Sequence, residues 1–325
     1  MICAAFAPVE ELRFGDFPAP VVGPGEVVID VVAAGVNYPD VLIVQGKYQT
    51  KPPIPFVPGS EAAGHIVALG EGVEGFAIGD RVIAFTGSGA FAEQVRVPAA
   101  QVWPVPDGVD LEVAAGIAIT YGTSYHALED RAGLKPGETL LVLGAGGGVG
   151  LTAVELGKHM GARVIAAASN ADKLALAKAQ GADELIDYAQ EDLRERVKAL
   201  TDGKGVDVVY DPVGGAASIV GVRSLAWGGR HLVVGFAGGE IPAIPANLLL
   251  LKSAAAMGVL WGNSVRADPI NQGANMRQIL DWLTQGALRP VIDTRFALSE
   301  AVAALQHLET RKVKGKVLLT RSQAS

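Results

Sequence analysis

Residues 139 to 168 read TLLVLGAGGGVGLTAVELGKHMGARVIAAA: an apolar run, a glycine cluster, an amphipathic stretch and a second apolar run. Thr139 to Leu143 is short and aliphatic and follows the turn Lys135-Pro136-Gly137-Glu138, which predicts a buried parallel strand. Beyond the glycines, Val149, Val154, Leu156 and Met160 recur at roughly helical spacing and Gly161 closes the segment, so the cluster falls at a helix N-terminus. Free backbone amides there, at the positive end of the helix dipole, suit a pyrophosphate, and glycines let the backbone approach it without Cβ atoms in the way. Strand, glycine turn, helix and strand in this order make a dinucleotide-binding βαβ unit.

The strict pattern G-x-G-x-x-G is not present. What matches is Ala145-x-Gly147-x-x-Gly150, with Gly144 and Gly146 supplying the slack that an alanine at the first position needs. A glycine-rich turn that binds nothing is the competing reading of the triplet by itself; the flanking strands and helix favour binding. Ribose selectivity is expected at the end of the second strand, about 20 residues beyond the loop, where an acidic side chain would accept from the two ribose hydroxyls of NAD. That position is Ala168, followed by Ser169, Asn170 and Lys173, two short polar groups and a cation. A 2′-phosphate prefers charge-assisted donors, so the pattern predicts NADPH over NADH. Asp172 dissents, and its other reading is a first-turn carboxylate in a helix capped by Asn170. Lys173 taken alone also reads as a solvated helix residue.

The chain has 325 residues, enough for about two domains. Half the residues are hydrophobic, 19% are charged and 41 are glycine, which suits an α/β protein that buries parallel strands on both faces. A net charge of −7, with no basic block longer than Arg311-Lys312-x-Lys314, gives no support to a nucleic-acid partner. The single cysteine, Cys3, excludes an intrachain disulfide framework and a multi-cysteine zinc lobe, and points to a reducing cytoplasm. The N-terminus MICAAFAPVEELRF has no basic region followed by a long apolar one, so it reads as a first strand and not as a secretory signal. The most apolar long window, Ile241 to Trp261, is interrupted by Pro242, Pro245, Asn247 and Lys252, so no membrane span is expected.

Composition and pattern divide the chain near Tyr121 and Trp261, giving domains 1–120 and 121–262 and a tail 263–325 that returns to the first. Before the first boundary, Val27 to Ala33, Ala62 to Leu69, Arg81 to Phe85 and Ala92 to Val97 read as strands separated by Gly and Pro signals, which predicts antiparallel β-structure. After it, the strand candidates are Thr139 to Leu143, Arg163 to Ala168, Glu184 to Ile186, Val206 to Asp211, Arg230 to Gly235 and Ala254 to Leu260. Alternating with helices, these predict a doubly wound α/β sheet. In the tail, one helix runs through Met276, Ile279, Leu280 and Leu283 and another through Ala301, Ala304, Leu305 and Leu308, followed by a strand Lys316 to Leu319.

The order and spacing of several fragments carry a resemblance. They are Gly35-Val36-Asn37-Tyr38-Pro39-Asp40, Pro58-Gly59-Ser60-Glu61-Ala62-Ala63-Gly64, Gly79-Asp80-Arg81-Val82, the loop Ala145 to Gly150, Tyr210-Asp211-Pro212-Val213-Gly214-Gly215 and Gly315-Lys316-Val317. Over essentially its whole length the chain resembles the zinc-free medium-chain dehydrogenases/reductases of the quinone oxidoreductase, or ζ-crystallin-like, group. The resemblance implies a GroES-like, mostly antiparallel β catalytic domain and a Rossmann domain built on a doubly wound, parallel six-stranded sheet. Zinc members of the superfamily carry a cysteine where Asn37 stands and Gly-His-Glu where Gly59-Ser60-Glu61 stands, and no tetrahedral zinc site is assembled from Asn and Ser. The four-cysteine segment is missing too, and none of His65, His126, His159, His231 and His307 has metal-motif spacing, so each reads as a core or surface histidine.

An enzyme without a metal to polarise an alcohol suits acceptors that are already electrophilic, quinones and conjugated enones. The resemblance thus implies NADPH-dependent quinone reduction, with Asn37 near the nicotinamide and substrate and Tyr48 lining the acceptor site. The plainer readings are a turn residue for Asn37 and a loop aromatic packed on a core edge for Tyr48. A second tyrosine common in relatives is replaced by Leu42. Similarity carries Thr123 to the nicotinamide side, Gly147, Gly148 and Val149 to the pyrophosphate, and Lys173, Tyr188 and Arg311 to the 2′-phosphate, with Ser169 and Asn170 joining by position. Arg311 reads alternatively as a charge on a solvated helix end. Phe236 and Trp261 follow strand ends on the ligand side of an open α/β sheet, where backbone contacts to the nicotinamide are expected, although both serve equally as packing aromatics. The rival readings are an NADPH-dependent reductase of enones or enoyl thioesters and, in another class, a ζ-crystallin-like structural or RNA-binding protein. Relatives commonly form homodimers through the edges of their nucleotide-binding sheets, and Leu248 to Leu260 is the apolar segment that would supply that edge.

Overall fold

The computed structural model describes residues 1–310 and 312–321 of the chain, which divide into two compact units. One comprises Met1–Gly122, Gly262–Gly286 and the described part of the segment that begins at Pro290; the other comprises Thr123–Trp261 with Ala287–Arg289.

The first unit is organised around β1 (Glu26–Val36), whose sequence EVVIDVVAAGV is apolar on both faces and almost wholly buried. Its partners are β2 (Glu61–Leu69), β4 (Gln94–Pro98) and β13 (Lys316–Thr320), all antiparallel, with β3 (Arg81–Phe85) and β5 (Val102–Pro104) extending the sheet beyond β2. β4 takes Glu26 to Asp30 and β13 takes Ala33 to Val36, so two strands share one edge of β1. The far edge is β12 (Ile292–Ala297), which runs parallel to β13. Ile29, Val31, Val36, Ile66, Phe91, Leu305 and Val317 belong to the core that this mixed, GroES-like sheet encloses.

In the second unit the strands are β6 (Thr139–Leu143), β7 (Arg163–Ala168), β8 (Glu184–Asp187), β9 (Val206–Asp211), β10 (Leu225–Val233) and β11 (Ala255–Gly258). All neighbours are parallel and the order is β11-β10-β9-β6-β7-β8, a doubly wound, Rossmann-like sheet whose direction of winding reverses between β6 and β9. Leu141, Leu143, Ile165, Ala167, Ile186 and Val209 fill its core.

The expected limits of β6, β7 and β9 match the structure residue for residue. Others need correction. The N-terminal stretch forms no strand; it makes only the isolated bridges Ile2 to Arg13 and Cys3 to Phe56, because Pro8 opens a 3₁₀ turn over Val9–Glu11. β5 and β12 were not expected, being respectively short and polar at its centre. β10 begins at Leu225 and ends at Val233, β11 is four residues long, and a helix over Trp261–Ala267 starts where a strand end was expected.

At the N-terminal rim of the parallel sheet, Arg230 Nη1 and Nη2 donate to Glu138 Oε1 and Oε2 at 2.8 and 2.7 Å, and Arg230 Nε donates to the Ala132 carbonyl. The fork joins the turn before β6 to β10, and the Arg230 hydrogen bonds hold the Glu138 carboxyl below the ordinary carboxylate range despite partial burial. Glu138→Gln is therefore expected to cost about 1–2 kcal/mol at neutral pH in urea unfolding. A depressed folded pKa contributes stability above the unfolded value and loses it as pH falls through the folded one, so the deficit should narrow in acid.

Candidate active site

In the second unit the helix Gly148–His159 begins at the C-terminal end of β6, with Gly147 as its N-cap. Gly147 has no side chain to cap with, so the opening amides, those of Gly148, Val149 and Gly150, have no partner inside the helix and none from its cap residue. Gly150 is dictated by packing. A Cβ there would lie 2.2 Å from the Gly144 carbonyl oxygen, so the helix seats against the strand end only without one. Ala145 is wholly buried. At Gly146 a Cβ would meet the Lys173 side-chain carbons at 2.4 to 2.9 Å: the lysine stem lies along the glycine loop.

Lys173 stands in the first turn of the helix Ala171–Ala179, whose N-cap Asn170 accepts from the Lys173 amide at 3.0 Å. The reading of Asn170 as a cap is thus realised. Ser169, exposed beside it, lies close enough to the Tyr188 hydroxyl to lower that phenol's pKa, and the Tyr188 amide donates to the Ala168 carbonyl at 3.1 Å. Ser169, Asn170, Lys173 and Tyr188 therefore gather at the C-terminal ends of β7 and β8, with alanine where an acidic residue would face a ribose. Burial raises the Tyr188 phenol, opposed by Ser169, and the group is a neutral hydroxyl at ordinary pH.

Across the reversal point, Val213 on the loop after β9 reaches the loop after β6: a Cβ on Gly144 would be 2.9 Å from its side chain. Asp211 holds this second loop. Its Oδ1 accepts the amides of Val213 and Gly214 at 2.9 and 3.0 Å, and its Oδ2 accepts the Ser218 hydroxyl and faces His231 Nε2 at 3.1 Å. Burial pushes the Asp211 carboxyl up, but His231, Ser218 and the Gly214 amide outweigh it, and the pKa is lowered. Phe236 follows β10 and lies against Gly214. Trp261 is buried at the start of its helix, and Thr123 is half-buried in the helix Ala118–Tyr125. Arg311 lies outside the described residues.

Asn37 and Tyr48 belong to the first unit. Asn37 is the N-cap of the helix Tyr38–Val44, and every polar atom of its amide is engaged. Its Oδ1 accepts from Lys316 Nζ at 2.6 Å, and its Nδ2 donates to Glu61 Oε1 at 2.9 Å and to the Gly35 carbonyl at 3.3 Å. Lys316 Nζ also reaches Glu61 Oε1 at 2.5 Å, and Glu61 Oε2 accepts the Ile119 amide at 2.8 Å. Gly35 makes room for this carboxylate, since a Cβ there would lie 2.3 Å from Glu61 Oε1. Next to the group, Asp40 accepts the Asn37 amide at 2.8 Å on Oδ2 and the Ser60 hydroxyl at 2.5 Å on Oδ1. Burial raises the Asp40 carboxyl to about 6, against the pull of Ser60, the Asn37 amide and Lys316. Tyr48 packs on the core edge, and its phenol is raised by burial and by the Asp40 charge.

Sequence reasoning did not single out Asp40, Glu61, Lys316, Ser124, Thr152 or Tyr210, although four of them lie inside fragments quoted for the resemblance. The available signal was a polar residue set in an apolar run: Glu61 before Ala62-Ala63, Lys316 before Val317-Leu318-Leu319 and Tyr210 after Val208-Val209. Zinc does not fit the positions that hold it in relatives of the zinc type: the Asn37 oxygen is taken by Lys316, and the Ser60 hydroxyl is spent on Asp40. Among the described residues, no group of three or more His, Cys, Asp and Glu side chains is arranged to hold a metal ion.

The parallel sheet with a glycine cradle and the mixed sheet with its buried polar cluster define a two-unit dehydrogenase architecture. Residues 23–107 match the alcohol dehydrogenase GroES-like domain and residues 148–284 the zinc-binding dehydrogenase family. The chain belongs to the medium-chain dehydrogenase/reductase superfamily, among its quinone oxidoreductase-like members, and is by family an oxidoreductase. It is 41% identical over 304 residues to mouse quinone oxidoreductase-like protein 2, covering 93% of this chain and 87% of that one. Quinone oxidoreductase of Pseudomonas aeruginosa is 34% identical over 319 residues, 97% of each chain. A mycobacterial protein solved in complex with NADPH superposes with a TM-score of 0.92 at 33% identity, over 98% of both chains. No helix among the described residues is long and apolar enough to cross a membrane.

The buried Asp40 carboxyl makes a pH prediction. Its folded pKa lies above its unfolded value, so the folded state binds the proton more tightly, and stability present in acid is lost as pH rises through about 6. Asp40→Asn keeps an acceptor for the Asn37 amide and cannot ionise. Between pH 4 and 7 the variant's unfolding free energy, measured in urea, should gain on the wild type by about 2 kcal/mol.

Proposed function

We propose that this chain is a metal-independent reductase that uses NADPH to reduce a quinone. The observation that carries the reading is the ligand end of the parallel sheet: uncapped amides after β6, the Lys173 stem along Gly146, and Ser169 and Tyr188 beside Ala168, an alanine where an acidic residue would face a ribose. In this reading Ala145, Gly147, Gly148 and Val149 hold the diphosphate, and Ser169, Asn170, Lys173, Tyr188 and Arg311 hold the 2′-phosphate. Thr123, Phe236 and Trp261 border the nicotinamide. The NADPH bound by the mycobacterial relative supports the same choice.

The bound coenzyme supplies a hydride, and the residues of the chain orient the acceptor and deliver a proton. A quinone that takes a hydride becomes a hydroquinone anion whose ring spreads the charge, so no fixed cation is required at the oxygen. Tyr48, kept neutral by burial and by the nearby Asp40 charge, donates a hydrogen bond to that oxygen. Asn37, with its amide spent on Lys316, Glu61 and Gly35, acts by fixing the loop that borders the acceptor. A reducing cytoplasmic setting fits Cys3, which is buried and whose thiol burial pushes up, away from exchange chemistry. A homodimer joined along β11 fits that exposed edge strand and the exposed Leu250 and Leu251 before it, and light scattering tests it.

The deciding experiment is turnover of a simple quinone with NADPH beside a 2-alkenal and an enoyl-CoA. Quinone turnover alone is the expected result; preference for either conjugated carbonyl would establish the rival reductase, and salt-sensitive RNA binding without turnover a binding protein. Lys173→Ala should raise KM for NADPH about tenfold while sparing NADH, and Ala168→Asp should tilt preference toward NADH. Chelator treatment should leave activity intact, and activity lost to a chelator and restored by zinc would overturn the metal-free reading.

A further inference from the structure

Three hydroxyls lie buried beneath the glycine loop. Ser124 and Tyr210 are fully buried and Thr152 is nearly so. Ser124 Oγ lies 2.9 Å from the Tyr210 hydroxyl, 2.8 Å from Thr152 Oγ1 and 3.0 Å from the Val149 carbonyl oxygen, which Thr152 Oγ1 also approaches at 3.0 Å. A phenol buried at the end of a strand costs stability unless its proton is used. Among the described residues Ser124 is the partner of the Tyr210 hydroxyl, and burial keeps that phenol protonated.

The acceptor at one end orders the group. Ser124 and Thr152 both lie within donating distance of the Val149 carbonyl oxygen, which can only accept. Tyr210 therefore donates to Ser124, and the remaining protons run toward the Val149 carbonyl, through Thr152 or directly. That carbonyl shares one planar peptide with the Gly150 amide, so holding the oxygen on one side aims the N–H on the other, out of the helix N-terminus.

We propose that Tyr210 is a positioning residue for the coenzyme diphosphate, acting through Ser124 and Thr152 on the peptide between Val149 and Gly150. The inference rests on the coenzyme reading above. It adds no charge to the loop: a neutral hydroxyl chain restrains the amides, and a diphosphate meets donors that have already paid their ordering entropy.

Titration calorimetry on the full chain separates this role from general support of the fold. Three ligands are used: NADPH, 2′-phospho-ADP-ribose, which keeps the diphosphate, and 2′-AMP, which lacks it. Tyr210→Phe should weaken the first two about fivefold, the scale of one hydrogen bond, and leave 2′-AMP unchanged. Unchanged affinity for all three, or an equal loss for all three, overturns the proposal. If Tyr210→Phe does not fold, Thr152→Val carries the same test with the same outcomes, since it removes the hydroxyl at the carbonyl end of the chain. A wild type that binds none of the three ligands refutes the coenzyme reading itself, and the inference falls with it.

Discussion

A backbone contact sets the second unit: the Cα of Gly150 sits against the carbonyl of Gly144, with no room for a side chain between them. This approach lets the helix begin directly at the end of β6 and leaves its first amides pointing away from the strand. Everything nearby adjusts to it. Lys173 can lie along the loop because Gly146 is bare, and Val213 can close on the other side because Gly144 is bare. Two loops from strands adjacent in the sheet but far apart in sequence thus meet at the reversal point, where open α/β sheets bind their ligands.

The first unit meets a different demand, the burial of charge. Glu61 is wholly buried and Lys316 nearly so, and neither would be tolerated alone in an apolar sheet. They survive as a saturated set: Lys316 donates to Glu61 and Asn37, Asn37 donates to Glu61, and the Ile119 amide takes the remaining Glu61 oxygen. Removing one partner of such a set costs about 3–5 kcal/mol, because the other charge stays buried. Asp40 is provided for differently. It has two donors but no direct cation, and burial prevails, which is why its carboxyl titrates near 6.

The parts of this fold that could be read in the sequence are those whose cause is local. β6, β7 and β9 are short runs with aliphatic centres bounded by turns, and their limits follow from the run. The loop from Ala145 to Gly150 and the polar group from Ser169 to Lys173 were legible for the same reason, since strand, turn and helix start lie within thirty residues of one another. β5 and β12 were not legible, because a three-residue strand and a strand whose centre is the polar run Asp293-Thr294-Arg295 are defined by the sheet they join. The N-terminal segment is strand-like in composition but not in structure: Met1, Cys3, Val9 and Leu12 are buried around isolated β-bridges and a 3₁₀ turn, Phe6 and Phe14 stay exposed, and no strand pairs along its length. The polar clusters were hidden by distance: Ser124 and Tyr210 are 86 residues apart, and Asn37 and Lys316 are 279 apart.

The two clusters also differ in kind, and electrostatics accounts for the difference. A diphosphate carries negative charge, so a carboxylate aimed at its cradle would work against the helix dipole and the loop amides. The hydroxyls of Tyr210, Ser124 and Thr152 restrain the cradle without adding charge, and the carboxylate of Asp211, on the neighbouring loop, is matched by two backbone amides, Ser218 and His231. Tyr210 and Asp211 are consecutive, so their side chains leave opposite faces of β9. One acts through Ser124 on the first turn of the helix that follows β6, and the other holds the loop that follows β9. A single dipeptide at the end of one strand thereby sets both loops at the reversal point, which is a physical reason for a tyrosine and an aspartate to follow Val208-Val209.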